Sequence, residues 1–183
     1  MRAPNGDDAL FVQRIKRKDS AAWESFYKDI YPRLRAFVSR RVDGQLVTDI
    51  VAATMAKAVA SIGQFDSDGV GLSAWVFGIC RHVVADNYRA ASREQRQPAA
   101  QEHTSGDVGD VGEAVESDEE TKAMRAAYAM LSDDDREILD LRVIARLTAE
   151  DVGELLGRQP GAVRMAQSRA LERLRGHFKE VYQ

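Results

Sequence analysis

The chain has 183 residues, of which 44% are hydrophobic and 30% charged, and this apolar content excludes a globally disordered protein. Its formal net charge of −3 is unusual for a nucleic-acid-binding protein, and its single cysteine excludes an internal disulfide or a paired-cysteine zinc site. No uninterrupted apolar run reaches the roughly 18–20 residues that span a bilayer, and the N-terminus has no apolar signal region. We therefore expect a cytoplasmic protein with no membrane partner.

The first half of the chain, from about residue 7 to residue 96, predicts helices because its apolar residues recur every three or four positions. Pro32 falls inside the second apolar run, where it either kinks the helix or ends it. Residues 63–71 are rich in Gly, Ser and Asp and predict a loop, after which a fourth helix is expected from about Leu72 to Ala91. The recurring side chains before that loop are Leu10, Phe11, Ile15, Trp23, Phe26, Tyr27, Ile30, Tyr31, Leu34, Ile50, Met55, Val59 and Ile62.

Residues 95–116 have a different composition, with small and acidic residues and no aromatic side chain. Such a segment cannot bury enough surface to offset the entropy of ordering it, so it predicts a flexible acidic linker between two small domains, 1–94 and 117–183. The alternative is a solvated surface loop within one domain, although unstructured loops of this length are uncommon in compact domains.

The second domain is again expected to be helical, and the predicted fold class is all-α. Ser132 can cap one helix, and Thr148 followed by Asp151 resembles a capping box that begins a short helix. Gly157 is expected to end this helix and Pro160 to begin the next, which continues through Leu174.

A short helix, a glycine turn and a longer basic helix between Leu147 and Arg175 predict a helix-turn-helix. The segment from Arg158 to Lys179 contains six basic residues and one acidic residue. This local positive charge favours phosphate binding although the net charge of the chain is negative. An inward stripe of Val163, Ala166, Ala170, Leu171 and Leu174 would leave basic and polar side chains outward. Arginine can bind guanine and glutamine can bind adenine in the major groove; the alternative is an ordinary solvated amphipathic helix.

A second segment, Ala74–Arg89, mixes aromatic and basic side chains, as single-stranded DNA sites do. Trp75 could equally be a core residue, and His82 a surface histidine with no special role. In the preceding loop, Phe65, Asp66 and Ser67 could line a pocket for an unstacked base, unless Phe65 instead fills the core.

At these residues the chain resembles the bacterial extracytoplasmic-function (ECF) sigma factors, of a SigD-like actinobacterial branch. Leu72–His82, followed by Asp86 and Arg89, is similar to the family signature F-x-AWLxxIARN…D…R. Leu131–Leu139 together with Leu155–Arg164 is similar to its LP…REVL…LG…GTVKSRL pattern.

The resemblance implies that the first domain (sigma region 2) binds the β′ clamp helices of core RNA polymerase and melts the −10 element. The second domain (region 4) would bind the β flap and the −35 element, and an anti-sigma factor is a further expected partner. No cofactor, metal or catalytic residue is implied. The −35 candidates are Arg158, Arg164, Met165, Gln167, Ser168, Arg169 and Arg173. The −10 and melting candidates are Phe65, Asp66, Ser67, Trp75, Arg81, His82 and Arg89, and the polymerase-binding candidates are Asp49, Ile50 and Thr54.

The sequence departs from the family pattern at several of these sites. Ala52 and Ala53 replace the usual Gln-Glu, His82 replaces an Asn, and Gln159 replaces the Ser or Thr that caps the recognition helix. Ala166 replaces a common basic residue, so phosphate contacts would shift to neighbouring arginines.

Three other functions compete with a sigma factor. One is a conventional helix-turn-helix transcription factor with an unrelated helical effector domain, and another is a protein-binding adaptor, which the basic helix disfavours. The third is an enzyme, for which the sequence has no P-loop, HExxH or GxSxG motif. The acids Asp133, Asp134 and Asp135 are better explained as a helix N-terminus than as a metal cluster.

Overall fold

The computed structural model of the chain describes residues 9–66, 69–94 and 119–182. The described helices form two compact units, and within these ranges there is no strand, so the predicted all-α fold class is confirmed. The predicted linker, 95–116, lies outside the described residues. The first unit contains α1 (Ala9–Lys16), α2 (Ser20–Val38), α3 (Gly44–Ser61), a 3₁₀ turn (Ile62–Gln64) and α4 (Leu72–Glu94). The second contains α5 (Glu119–Ala129), α6 (Asp133–Leu139), a π-helical turn (Asp140–Ile144), α7 (Ala149–Leu156) and α8 (Pro160–Tyr182).

Helix α2 runs through Pro32 without ending there. Its N-cap, Asp19, accepts a hydrogen bond from the backbone N–H of Ala22 at 2.8 Å, and apolar side chains on both sides of the proline are buried. Proline cannot donate a backbone hydrogen bond, and the burial of these side chains offsets the loss of that bond, so the helix continues.

The core of the first unit lies where α2, α3 and α4 pack together, and Phe37 meets Phe77 edge-to-face at 5.3 Å between ring centroids. Some predicted apolar positions are outside it: Leu10 is 74% exposed and Val59 is 40% exposed. Helix α3 buries the predicted Ile50 and Met55, and it also buries Val47 and Val51, which the sequence pattern did not single out.

Helix α3 and the turn after it, Gly44–Gln64, are long and apolar enough to cross a membrane by length and composition alone. The helix is packed between α2 and α4, and it carries Asp49 and Lys57 on its exposed side. Its apolar composition is therefore consistent with a core helix that also shows small side chains at the surface.

In the second unit the predicted caps are confirmed. The Ser132 hydroxyl accepts a hydrogen bond from the Asp135 N–H at 3.2 Å, and Thr148 forms a complete capping box with Asp151. The inward stripe of α8 is confirmed as well, because Val163 and Ala170 are fully buried and the other predicted members are partly buried.

An ion pair between Asp135 and Arg173 ties α6 to α8. Asp135 is only 5% exposed, and both of its carboxylate oxygens accept hydrogen bonds from the Arg173 guanidinium, one of them from Nε at 2.7 Å. This contact holds the pKa of Asp135 below its usual value, although burial opposes the shift. Of the three aspartates that begin α6, Asp135 is therefore more than a charge at the helix N-terminus, because its buried side chain holds α6 against α8.

We expect Asp135→Asn to lower the melting temperature of the second unit by about 5–10 °C at pH 7, because it leaves a neutral amide against a charged guanidinium. A carboxylate with a depressed folded-state pKa adds stability above its unfolded pKa and loses it as pH falls through the folded pKa. The difference between variant and wild type should therefore shrink below about pH 4, as followed by circular dichroism of the full chain.

Asp133→Asn is the matched control, since Asp133 begins the same helix but its side chain is almost fully exposed in its pair with Arg136. An equal effect of the two substitutions would show that helix-terminus charge, and not the buried ion pair, accounts for the stabilisation.

Candidate nucleic-acid interface

The second unit contains the predicted helix-turn-helix. Helix α7 ends at Gly157, whose φ of 64° is the left-handed conformation that glycine adopts most readily, and α8 begins at Pro160. Close packing fixes the turn, because a Cβ on Gly153 would lie 2.6 Å from the backbone oxygen of Arg158. A side chain at residue 153 would therefore push the turn away from α7.

The N-terminal half of α8 presents a polar face to solvent. Arg164, Met165, Ser168 and Arg169 are exposed, with Met165 at 62%, and Gln167 is half-buried. Residues 164 and 168 are one helical turn apart, as are 165 and 169, so these side chains form two adjacent rows on the outward surface. These outward side chains thus form one continuous face.

Three of the predicted DNA-binding arginines are paired with acids of the same unit. Arg158 donates to Asp134 at 3.1 Å, Arg164 donates to Glu150 on α7, and Arg173 is bound to Asp135. The hydrogen bond from Arg158 to Asp134 is the main reason that the pKa of this arginine is raised. The sequence did not reveal these pairs, because the partners lie 14 to 38 residues apart.

The arginines therefore differ in their availability to phosphate. The partner of Arg173 is buried, so this side chain is directed towards α6. Arg158 and Arg164 form exposed pairs, which exchange readily with another anion. Arg169 is exposed and forms no direct ion pair among residues 119–182, although its charge, after that of Arg173, helps to lower the pKa of Asp135.

In the first unit the structure brings Phe65 and Trp75 together, with ring centroids 5.2 Å apart. The ring of Phe65 is buried and Lys16 lies over it at 5.7 Å, whereas Trp75 is half-buried and Asp66 is exposed. Phe65 therefore belongs to the core, the alternative weighed above, and its ring face is not open to a base. Ser67 lies outside the described residues.

Helix α4 carries the other predicted −10 residues. Trp75, His82 and Arg89 recur at intervals of seven residues, which is about two helical turns and places them on one face. The Nδ1 of His82 lies 2.8 Å from the backbone oxygen of Gly78, so this nitrogen carries the proton and Nε2 faces outward. Arg89 pairs with Asp86 at 2.9 Å, and Arg81 is half-buried on the flank of the helix.

The polymerase-binding candidates on α3 separate into exposed and buried residues. Asp49 is exposed, whereas Ile50 is buried and Thr54 is 0% exposed, its hydroxyl donating to the backbone oxygen of Ile50 at 2.7 Å. Only Asp49 of the three is thus positioned to touch a partner. Next to it, Ala52 and Ala53 are exposed, as are Ala56, Val59 and Ala60 along the same helix.

Cys80 is fully buried beneath this surface, and desolvation raises the pKa of its thiol to about 11. It is therefore a neutral core residue and not a nucleophile at neutral pH. Within the described ranges no three His, Cys, Asp or Glu side chains are grouped so as to hold a metal ion.

Comparison with known proteins identifies both units. Residues 26–94 match the Sigma-70 region 2 family, and residues 129–176 match the Sigma-70 region 4 family. The ECF RNA polymerase sigma factor ShbA of Streptomyces griseus is 34% identical over 175 residues, covering 90% of this chain and 91% of that protein. The chain belongs to the ECF RNA polymerase sigma factors.

Other relatives agree with this assignment. The ECF sigma factor SigD of Mycobacterium tuberculosis is 35% identical over 147 residues, which cover 79% of this chain and 68% of SigD. The sigma factor RpoE of Bartonella quintana, solved in complex with the anti-sigma factor NepR, is 27% identical with a TM-score of 0.62 over 86% of this chain and 96% of that chain. The structure of CnrH in complex with the cytosolic domain of CnrY shares the fold, with a TM-score of 0.64 and 20% identity over 95% of this chain and 98% of that chain.

Within this sigma factor, region 2 covers most of α2 and all of α3 and α4, and region 4 runs from the end of α5 into α8. The conventional transcription factor with an unrelated effector domain is not favoured, because the N-terminal unit itself matches a sigma region. The two matches also fall one in each compact unit, as the two-domain reading of the sequence predicted.

We expect Glu150→Gln to tighten promoter binding by roughly 1.5–5-fold, because Glu150 competes with phosphate for the guanidinium of Arg164. Arg169→Ala should weaken binding by about 1–3 kcal/mol and flatten its salt dependence, because Arg169 is exposed, forms no direct ion pair among residues 119–182 and can bind phosphate. Both effects are measured as the promoter Kd of the full chain with core polymerase at two salt concentrations.

The control for the first substitution is Glu154→Gln, which removes the same charge from the same helix without a partner arginine on α8. Equal tightening by the two variants would indicate a general charge effect and would remove Arg164 from the interface.

Proposed function

We propose that this chain is the promoter-specificity subunit of RNA polymerase, which binds the core enzyme, recognises the −35 and −10 elements and promotes melting of promoter DNA. The observation that carries the proposal is the continuous polar and basic face of α8 on a helix-turn-helix, in a chain whose other unit is a sigma region 2 domain. A DNA-reading face alone would also suit a repressor. The N-terminal unit favours a polymerase subunit.

In this proposal the outward half of α8 lies in the major groove of the −35 element. Arg169 and Arg164 hold phosphate or guanine, and Met165 and Ser168 touch base edges or sugar. Arg158, before the helix, exchanges Asp134 for phosphate. Arg173 contributes indirectly, because its bond to Asp135 holds α8 against α6.

The −10 element meets the face of α4 that carries Trp75, His82 and Arg89. A ring and two groups that bind phosphate or base edges suit a single strand, which offers unstacked bases and a charged backbone. Asp66, with Ser67 next to it in the chain, supplies hydrogen-bonding groups for an extruded base. Phe65 supports Trp75 from the core in this scheme.

Core polymerase is expected to bind the exposed side of α3 through the β′ clamp helices, with the β flap bound by the second unit. Alanines are small enough to allow another helix to approach closely, and Asp49 provides one charge at the edge of this surface. This combination explains why α3 is apolar on sides that face away from its own core. By analogy with the RpoE–NepR complex, an anti-sigma factor is an expected competitor for these surfaces.

We further propose that the chain has no catalytic activity of its own and acts in the cytoplasm, where the polymerase is. The buried neutral thiol of Cys80 supports the first point, since it removes the one cysteine as a nucleophile.

Run-off transcription tests the function. Purified chain added to core RNA polymerase, with no other sigma factor, should start specific transcripts from a pool of promoters, and sequencing of the 5′ ends should reveal common −35 and −10 elements. A chain that bound promoter DNA but started no transcript would support the conventional transcription factor instead.

The melting role predicts a defect that depends on the state of the DNA. Replacing Asp66 and Ser67 together with Ala should slow open-complex formation on a duplex promoter far more than on a promoter with a pre-melted −10 bubble whose pocket base is abasic. The reason is that the pocket binds the extruded base and thereby offsets a few kcal/mol of unstacking. Gln64→Ala, an exposed change shortly before the loop, is the control, and wild-type rates on duplex DNA would exclude the pocket.

A further inference from the structure

One hydrogen bond links the π-helical turn after α6 to helix α8. The Nε of Arg142 donates to Oε1 of Gln167 at 2.8 Å, and both side chains are half-buried. The same guanidinium donates through Nη1 to the backbone oxygen of Leu147, just before α7. Arg142 therefore touches the α6–α7 loop and the DNA-facing half of α8 at the same time.

The chemistry of arginine determines which way the Gln167 amide faces. A guanidinium has five N–H donors and no acceptor, so only the amide oxygen of Gln167 can lie against it. The amide nitrogen must then point away from Arg142. An unrestrained glutamine could turn either its donor or its acceptor to a base, whereas this one is held with its donor outward.

The backbone that carries Arg142 is itself well fixed. Arg142 sits in the π-helical turn, where the Ala145 N–H donates to the Asp140 oxygen at 2.7 Å. The buried Asp140 side chain accepts from the Tyr128 hydroxyl at 2.6 Å, which ties this turn to α5. The π turn thus holds the backbone of Arg142, and the side chain reaches Gln167 on α8.

We infer that Arg142 is a positioning residue for base recognition: it orients the Gln167 amide so that Gln167 presents its N–H donors to one base of the −35 element. This inference rests on the proposed function. A base with an acceptor at its major-groove edge, such as a purine N7, guanine O6 or thymine O4, is then favoured. Cytosine on the contacted strand is disfavoured, because it offers only the N4 donor there.

Two substitutions separate orientation from simple contact. Gln167→Glu keeps an acceptor for Arg142 but has no N–H, so it should invert the preference at one position and favour cytosine by about 5–100-fold. Arg142→Met keeps the length of the side chain without its donors and leaves Gln167 free to turn. In Arg142→Met, the discrimination against cytosine at the same position should fall to about 3-fold or less.

Arg146→Met is the matched control for Arg142→Met. It removes the same charge from an exposed side chain of the same loop, and none of its described contacts is with Gln167. It should leave the base preference unchanged even if it lowers the yield. Circular dichroism of each full-length variant checks that the loss of the bond to Leu147 has not unfolded the domain, and Gln167→Glu leaves that bond intact.

The experiment uses a promoter library randomised through the −35 element. The full-length chain and each variant select from it twice, once by initiation with core polymerase and once by direct binding. A Gln167→Glu variant with wild-type preference at every position would overturn the inference, as would an Arg142→Met variant that still discriminates against cytosine as the wild type does. Binding selection that recovers no preferred sequence for the wild type would overturn it too.

The two readouts keep this inference apart from the proposed function. If the wild type selects sequences by binding but initiates no transcript, the sigma-factor proposal fails, and the role of Arg142 is decided by the bound sequences. If the wild type initiates but Arg142→Met leaves its preferences unaltered, the promoter function stands and the orienting role is wrong.

Discussion

The buried carboxylate of Asp135 is the constraint on which the second unit depends. Its ion pair with Arg173 joins the beginning of α6 to the middle of α8, beside a small cluster of Leu131, Leu139 and Ala170. A buried carboxylate is costly unless a cation pairs with it, so Asp135 needs Arg173 at this position. The contact fixes one point at which α8 packs against α6, and α8 packs against α5 and α7 as well.

The arginines in and just before α8 indicate how a protein with a net negative charge can present a basic surface for the proposed DNA contact. Arg158 and Arg164 are neutralised locally by Asp134 and Glu150, at solvent-exposed sites where such pairs are weak. DNA, with its closely spaced phosphates, can replace these carboxylates at small cost. In the proposed function, exposed Arg169 and the oriented amide of Gln167 complete this surface, with charge attracting DNA and one hydrogen-bonding group discriminating between bases.

The first unit uses its aromatic residues differently from what composition suggests. Phe65 lies in the core and supports Trp75, which keeps part of its surface exposed. The face of α4 beyond it carries His82, whose outward Nε2 is set by the bond from Nδ1 to Gly78. In the proposed function this face of α4, lined by a ring, an imidazole and a guanidinium, is the one that binds the single strand.

The sequence by itself determined the helical class, the helix-turn-helix with its capping box and left-handed glycine, and the family, because these depend on local periodicity and on residues close together in the chain. It also identified most of the outward face of α8. Only the tertiary structure decided which candidates reach solvent: Ile50, Thr54 and Phe65 face a core that forms from helices distant in sequence. The same holds for the pairing of Arg173 with Asp135 and of Arg142 with Gln167, which are 38 and 25 residues apart. Periodicity shows on which side of a helix a residue lies, but the partner that a side chain meets is set by how separate helices pack.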